Sequence, residues 1–353
     1  MSDSDRFSKR IKLLRPLIFC IAAAAVFIAA GLAGRFVAEK QNPISEDSHQ
    51  AARSDENLVV DDNKTITVGD KEYAIKENIE TVLVIGVDSP DIQEKVDSYM
   101  NTEQADFNML IVIDHDNKSY TSLALNRDTM TRIPALGVDG VLSYWKDGQL
   151  ALAHTYGTGR EDSCINQVWA VSELLFGEKI DHYISLSMPA IGLANDAVGG
   201  VTVTIEDDFS KVDKTLKQGE KIKLNAKQAE NFVRQRKNMG EQSNLNRMKR
   251  QQTYMSEWKK LAVKKLNGEN TFLFKLLGMV SDYMVSDMSA NKLSELSNNL
   301  SQYTDNGIID TKGEAKKGKE FIEYYVDEDD LRDIVLELYY DEITQNSTPI
   351  PNY

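Results

Sequence analysis

The chain has 353 residues with 41 Lys and Arg against 55 Asp and Glu, a formal net charge of −14. Residues 1–40 hold seven basic and three acidic side chains, so the remainder carries −18, a balance that repels a phosphate backbone and excludes a non-specific nucleic-acid binder. The two cysteines, Cys20 and Cys164, lie far apart and Cys20 sits in an apolar run, which excludes an internal disulfide framework.

Residues 16–34 carry no charge, and about 20 apolar residues suffice to cross a bilayer core. Arg6, Lys9, Arg10, Lys12 and Arg15 precede the run, and basic flanks stay on the cytoplasmic side. The expectation is a cytoplasmic N-terminus over 1–15, one transmembrane helix over 16–37, and everything after it outside the cytoplasm in the cell membrane's outer space. A cleavable signal peptide is the rival reading, although its apolar core is usually only about 7–15 residues long. Residues 39–64 are rich in Ser, Asp, Glu and Asn and poor in core-forming side chains, so 38–72 reads as an extracytoplasmic linker, with folded structure expected from Tyr73.

Dense Val, Ile and Leu predict buried strands over 81–87, 107–113 and 120–125. Downstream the period lengthens to about 3.6, which predicts helices over 149–156, 164–176, 188–198, 226–236 and 245–266. Short strands are expected over 182–187 and 201–205, with Gly199-Gly200 breaking the chain between helix and strand. After residue 270 come two helical stretches, a β-like run over 321–326, and a helix over 327–340 whose acidic start suits its N-terminal dipole. Strands interleaved with helices predict an α/β layered domain.

The stretch His115-Asp116-Asn117-Lys118 reads as a hairpin turn, and centring it between Asp116 and Asn117 brings Asp106 opposite Arg127. Asp88 leaves the first strand in Gly86-Val87-Asp88-Ser89, so two carboxylates and an arginine are expected at one sheet edge. Such an incomplete set of hard oxygens suits Mg²⁺ (or Mn²⁺), which keeps waters and shares its shell with substrate phosphates. Taken alone, these residues favour a purely structural role, with Asp88 capping a turn and Asp106 paired to Arg127.

Arg234 and Arg236 end one helical segment, and Arg247, Arg250 and Gln251 begin the next. Arg247 and Gln251 are four apart and share a helix face. Arginine forks bind phosphate oxygens at two points, which makes this corner a candidate anion site. A solvated, salt-bridged helix surface is the other reading.

Gly86-x-Asp88, the Asp106 segment, Leu125-Asn126-Arg127-Asp128-Thr129, Ala197-Val198-Gly199-Gly200-Val201, Arg234-x-Arg236 and Asn246-Arg247-Met248-Lys249-Arg250-Gln251-Gln252 follow in order. Together they resemble the LytR-CpsA-Psr family of membrane-anchored cell-wall enzymes over roughly residues 79–265. The resemblance implies a three-layer α/β/α domain with a central mixed β-sheet over 73–268, and a helical and β extension packed on it over 269–353. It implies a phosphotransferase that moves a glycopolymer from a polyprenyl-pyrophosphate carrier to peptidoglycan. Asp88 and Asp106 match the metal carboxylates, and Arg127, Arg234, Arg236, Arg247 and Gln251 match the pyrophosphate-binding positions.

The chain departs from the family's pattern at Gln104-Ala105-Asp106-Phe107, where Arg-Ser-Asp-Thr is usual, at Asn126 for proline, and at Gln149-Leu150-Ala151 for Lys-x-Asn. Asn244 stands where many members have an aspartate suited to act as general base, and an amide accepts no proton at neutral pH. Asp128 is then either the base or a structural partner of a nearby arginine. His154 and Cys164 are expected to be packing residues. Two functional readings follow: the transferase, with a pyrophosphatase of such lipids as its variant with water as acceptor, and a non-catalytic membrane-tethered binder of pyrophosphate lipids. A transcriptional role conflicts with an acidic domain outside the cytoplasm.

Overall fold

The computed structural model describes residues 65–343, except 92, 138–139, 236–242, 269–271, 301 and 319–320. The apolar run over 16–37 therefore lies outside the described residues, among which no helix is long and apolar enough to cross a membrane.

The described structure already includes a strand ahead of the expected boundary at Tyr73. Strand β1 (Thr65–Val68) pairs antiparallel with β2 (Lys71–Ile75) through the turn at Gly69, and Ile66 is buried. The end of the expected linker is thus a strand, held by partners that a local composition argument does not contain. Next come β3 (Ile79–Val87), β4 (Ala105–Asp114) and β5 (Ser119–Leu125). The β4–β5 ladder runs from Asp114↔Ser119 to Asn108↔Leu125, the register expected from the hairpin turn. Asp114 closes that turn by accepting the Asn117 backbone N–H at 2.8 Å, and Lys118 takes a positive φ of 49°.

The next two strands were not expected. β6 (Met130–Leu136) and β7 (Leu142–Gln149) form an antiparallel hairpin beside the main sheet. Residues Leu150–Thr155, expected to be α-helical, form a 3₁₀ helix. Its first N–H groups bond to loop carbonyls, Leu150 to Thr129 at 2.8 Å and Ala151 to Arg127 at 3.0 Å, so tertiary bonds replace the helix's own ladder.

Helix α1 (Arg160–Leu174) leads to β8 (His182–Ser187), which pairs parallel to β3. Helix α2 (Pro189–Ala197) opens on a proline at its first turn, and Gly199 and Gly200, both at positive φ, carry the chain into β9 (Thr202–Thr204). After β10 (Lys221–Lys223), α3 (Ala226–Arg234) begins with a capping box between Asn225 and Gln228. The long α4 (Ser243–Gly268) and α5 (Phe272–Val280) complete this layer.

The C-terminal part is woven into the domain. β11 (Met284–Ser286) extends the sheet beyond β8, α6 (Ala290–Leu300) packs on it, and β12 (Thr304–Asp310) joins its other edge parallel to β5. A hairpin of β13 (Gly313–Lys317) and β14 (Ile322–Val326) follows, then α7 (Glu328–Tyr339), capped by Asp327, and β15 (Tyr340–Glu342), which pairs with β2. Among the described residues the central sheet is mixed and six-stranded, in the order β11-β8-β3-β4-β5-β12.

Side-chain alternation assigns the layers. Leu83, Ile85 and Val87 face α1 and α7, where they meet Val168, Val171 and Val335. Val82, Ile111 and Ile184 face the other way, against Leu293, Leu296 and Leu300 of α6. Strands buried on both faces read as continuous apolar runs, and each such side chain is worth about 1.5–3 kcal/mol on burial.

Candidate functional site

The site is built on an irregularity between β3 and β4. Gly86 pairs with Phe107 but Val87 with Ala105, so Asp106 is the extra residue of a bulge. Bulges re-aim a side chain at a strand end. The backbone N–H groups of Asp106 and Asp88 both bond the Gln104 carbonyl at 3.0 Å, which brings the two aspartates to one corner. Gly86 is required here, since a Cβ would come within 2.9 Å of the Phe107 Cβ.

Asp106 is gripped from two sides. One oxygen takes the Arg127 guanidinium, and the other takes Arg247 Nη1 at 2.8 Å. All three side chains are at most 10% exposed, so one carboxylate faces two arginines largely away from water. Arg247 comes from the first turns of α4 and Arg127 from the loop after β5, so the triad joins sheet and helix layer. Asp88 meets Arg234 Nη2 at 2.5 Å at the end of α3, and both are more than a third exposed.

The positions that depart from the family's pattern are used together to orient Arg127. Gln104 Oε1 accepts from Arg127 Nη2 at 2.6 Å. Asn126 Oδ1 accepts the Asp128 backbone N–H at 3.0 Å, forming by side chain the turn that a proline would impose. Asp128 accepts Arg127 Nε at 3.2 Å and Gln149 Nε2 at 3.3 Å. Asp128 is buried in these contacts, which favours the structural-partner reading over the base. It does not line the cavity described below.

The expected arginine corner is divided by role. Arg250 is buried, donates to the carbonyls of Phe232 (2.7 Å) and Gln235, and pairs with Asp207, so it ties α4 to α3. Burial pulls its pKa down against that pairing. Gln251 also holds α3, donating to the Val233 carbonyl at 3.2 Å. Arg236 and the side chain of Asn244 lie outside the described residues.

A cavity of about 180 Å³ opens from this corner between the sheet and α2, α4 and α5. Asp106, Arg234, Arg247 and Gln251 form its polar mouth, and Met109, Ile191, Met255 and Leu276 are among its apolar walls. On α4 the lining positions Arg247, Gln251, Tyr254, Met255, Trp258 and Lys259 form one helix face. The contour suits a ligand with an anionic head and an apolar tail. Among the described residues no group of three or more His, Cys, Asp or Glu side chains is arranged to hold a metal.

Sequence reasoning did not single out Glu103, next to Gln104, whose carboxyl burial raises above its usual range. A half-buried acid in a polar loop leaves no periodic signal. His154 is held neutral, its pKa lowered to about 4 by burial, and burial raises the Cys164 thiol far above its usual range, so both are packing residues.

The sequence profile of the LytR_cpsA_psr family matches residues 41–338. The chain belongs to this family. It is 25% identical over 321 residues to the polyisoprenyl-teichoic acid–peptidoglycan teichoic acid transferase TagU of Oceanobacillus iheyensis, covering 89% of this chain and 87% of the relative. Its fold matches protein gbs0355 from Streptococcus agalactiae with a TM-score of 0.58 at 18% identity, covering 74% of this chain and 87% of the other. It also matches the family protein YwtF (TagT) with bound octaprenyl pyrophosphate lipid, with a TM-score of 0.52 at 19% identity, covering 80% of this chain and 95% of the other. The family membership and the α/β fold with a central mixed sheet agree with the sequence reading.

Proposed function

We propose that the chain transfers a glycopolymer from a polyprenyl-pyrophosphate carrier to a hydroxyl of peptidoglycan. The observation that carries this reading is the apolar cavity whose mouth holds Arg234 and Arg247, with Arg127 bound to the same Asp106. The name of the TagU relative and the lipid bound to TagT support it.

In this reading the pyrophosphate sits at the mouth, where Arg127, Arg234, Arg236 and Arg247 meet its oxygens and Gln251 adds a neutral donor. The acceptor hydroxyl oxygen bonds to the phosphorus that bears the glycan, and the bridging P–O bond breaks. Polyprenyl phosphate leaves with the bond's electron pair, and the hydroxyl proton passes to a base. Negative charge grows on the leaving oxygens, and arginines fixed in place beforehand stabilise it more than water does. Asp128, Gln104 and Gln149 act by holding Arg127.

Asp88 and Asp106 fit a divalent cation such as Mg²⁺ as an incomplete oxygen set, because each carboxylate oxygen keeps acceptor capacity beyond its arginine bond. Bound there, the ion would neutralise pyrophosphate charge. The apolar run over 16–37 would anchor the chain with residues 1–15 in the cytoplasm and the folded part outside.

A prenyl pyrophosphate carrying a photoreactive group on its tail tests this reading. Crosslinks are expected in the peptide containing Met255 and Trp258, suppressed by excess unlabelled prenyl pyrophosphate. Labelling scattered over the surface, or indifferent to competitor, would remove the lipid from the proposed site.

A further inference from the structure

The cavity has a direction and an end. Along α4, Arg247 to Lys259 spans about 18 Å at ~1.5 Å per residue. Along β4, lining runs from Asp106 to Ile111, about 17 Å at ~3.4 Å per residue. Two independent walls thus give the same length from the polar mouth.

What lies past Ile111 on that sheet face is not groove. The next side chain on the same face, Ile113, packs with Tyr120, Leu296 and Leu300 under α6. At that level stands a buried ion pair: Lys259 Nζ meets Asp305 Oδ2 at 2.9 Å, with both side chains under 10% exposed. The register fixes the level, since Asp305 pairs with Tyr120 and Tyr120 with Ile113. Asp305 is held in turn by the Gly307 N–H at 2.9 Å. Taking two charges out of water is costly unless the geometry holds them, so such a pair is weak as a source of stability. It is effective as a wall that an apolar chain does not penetrate, because parting the charges in that setting separates two buried ions from each other with no water to replace the contact.

We propose that Lys259 and Asp305 are the end stop of the groove, so that it accepts only the isoprene units nearest the pyrophosphate and is indifferent to total tail length. This rests on the polyprenyl-pyrophosphate reading of the site. It makes Lys259 a specificity-determining residue and gives the C-terminal strand β12 a part in substrate selection.

The test measures binding of prenyl pyrophosphates of increasing length to the full-length chain in detergent. Each unit that enters the groove is expected to tighten binding by ~tenfold or more, from the value of its buried carbons. Affinity is then expected to reach a plateau. In the double variant Lys259→Ala/Asp305→Asn, which opens the wall and leaves no unpaired charge, the plateau moves to longer chains. In Lys259→Met/Asp305→Asn, which keeps the wall's bulk, it stays in place. Affinity that climbs through the longest chain in the wild type overturns the end stop while leaving the site reading intact, as does a plateau that the folded alanine variant leaves unmoved. Wild type that binds no prenyl pyrophosphate overturns both. The wild-type series decides the matter even where the alanine variant does not fold.

Discussion

Arg127 reaches Asp106 across the open end of the β4–β5 hairpin, two steps beyond the last ladder pair, Asn108↔Leu125. The contact makes Asp106 a part of the fold as well as of the site, because Arg247 completes the pair from α4. Asp106→Ala is therefore expected to remove the carboxylate that two buried guanidinium groups share and cost about 3–5 kcal/mol. Chemical denaturation checks this. A variant as stable as the wild type would mean that the triad does not form in solution.

Asp88 is expected to behave differently. It and Arg234 are each more than a third exposed, so their pairing is screened and truncation should leave stability within about 1 kcal/mol. If the proposed cation binds there, Asp88→Ala should nevertheless lower turnover in Mg²⁺ more than tenfold, since it removes a hard-oxygen ligand of that ion. Unchanged turnover in the variant, or full wild-type turnover in EDTA, would sink the metal proposal.

The hold on Arg127 gives a graded expectation. Arg127→Lys keeps the charge but loses the fork that meets Asp106, Gln104 and Asp128 at once. Loss of a preorganised donor typically costs about 10²–10³ in rate. The rate at saturating lipid should fall accordingly, and Gln104→Ala and Gln149→Ala should fall less, in the same parameter. If all three variants lost only affinity, Arg127 would be a binding residue alone.

Far from this corner, His182 lies between Asp287 (3.3 Å) and Glu80 (3.3 Å), and Glu80 also holds His115 and Lys292. Burial opposes the charged ring, but the bonds to Asp287 and Glu80 outweigh it and hold its pKa at about 9 against an ordinary 6.5. A raised pKa means that protonation stabilises the fold: the contribution is complete below pH 6.5 and is lost as pH rises through about 9. Thermal midpoints should show wild type exceeding His182→Gln at pH 6 and the difference shrinking by pH 10. A constant difference would show that the ring does not titrate in this window.

How much of this was legible in the sequence follows from what each feature depends on. The main strands, the register of the hairpin and the meeting of Asp106 with Arg127 rest on local apolar runs and one turn, and local signals suffice for them. The β6–β7 hairpin did not stand out because Leu142–Gln149 is largely exposed and carries no alternating apolar face. β2 and β12 pair with strands distant in the chain, β15 and β5. Gln104, Asn126 and Gln149 looked like losses, since the bond from Arg127 to Gln104, and those that Asn126 and Gln149 make to Asp128, exist only once the loop is folded. The separation of Arg250 from Arg247 was equally hidden: three residues apart on one helix, one faces Asp207 and the other Asp106.

The most direct measurement is transfer of labelled glycan from a polyprenyl pyrophosphate to peptidoglycan oligomers, run in parallel on wild type, Arg127→Lys and Asn244→Asp. Wild type is expected to form the phosphodiester product, Arg127→Lys to lose most of that rate, and Asn244→Asp to gain, since general-base help is worth about 10²–10⁴-fold. Tight lipid binding by wild type and Asn244→Asp with no glycan reaching peptidoglycan in either would contradict the transferase and leave a tethered binder of pyrophosphate lipids.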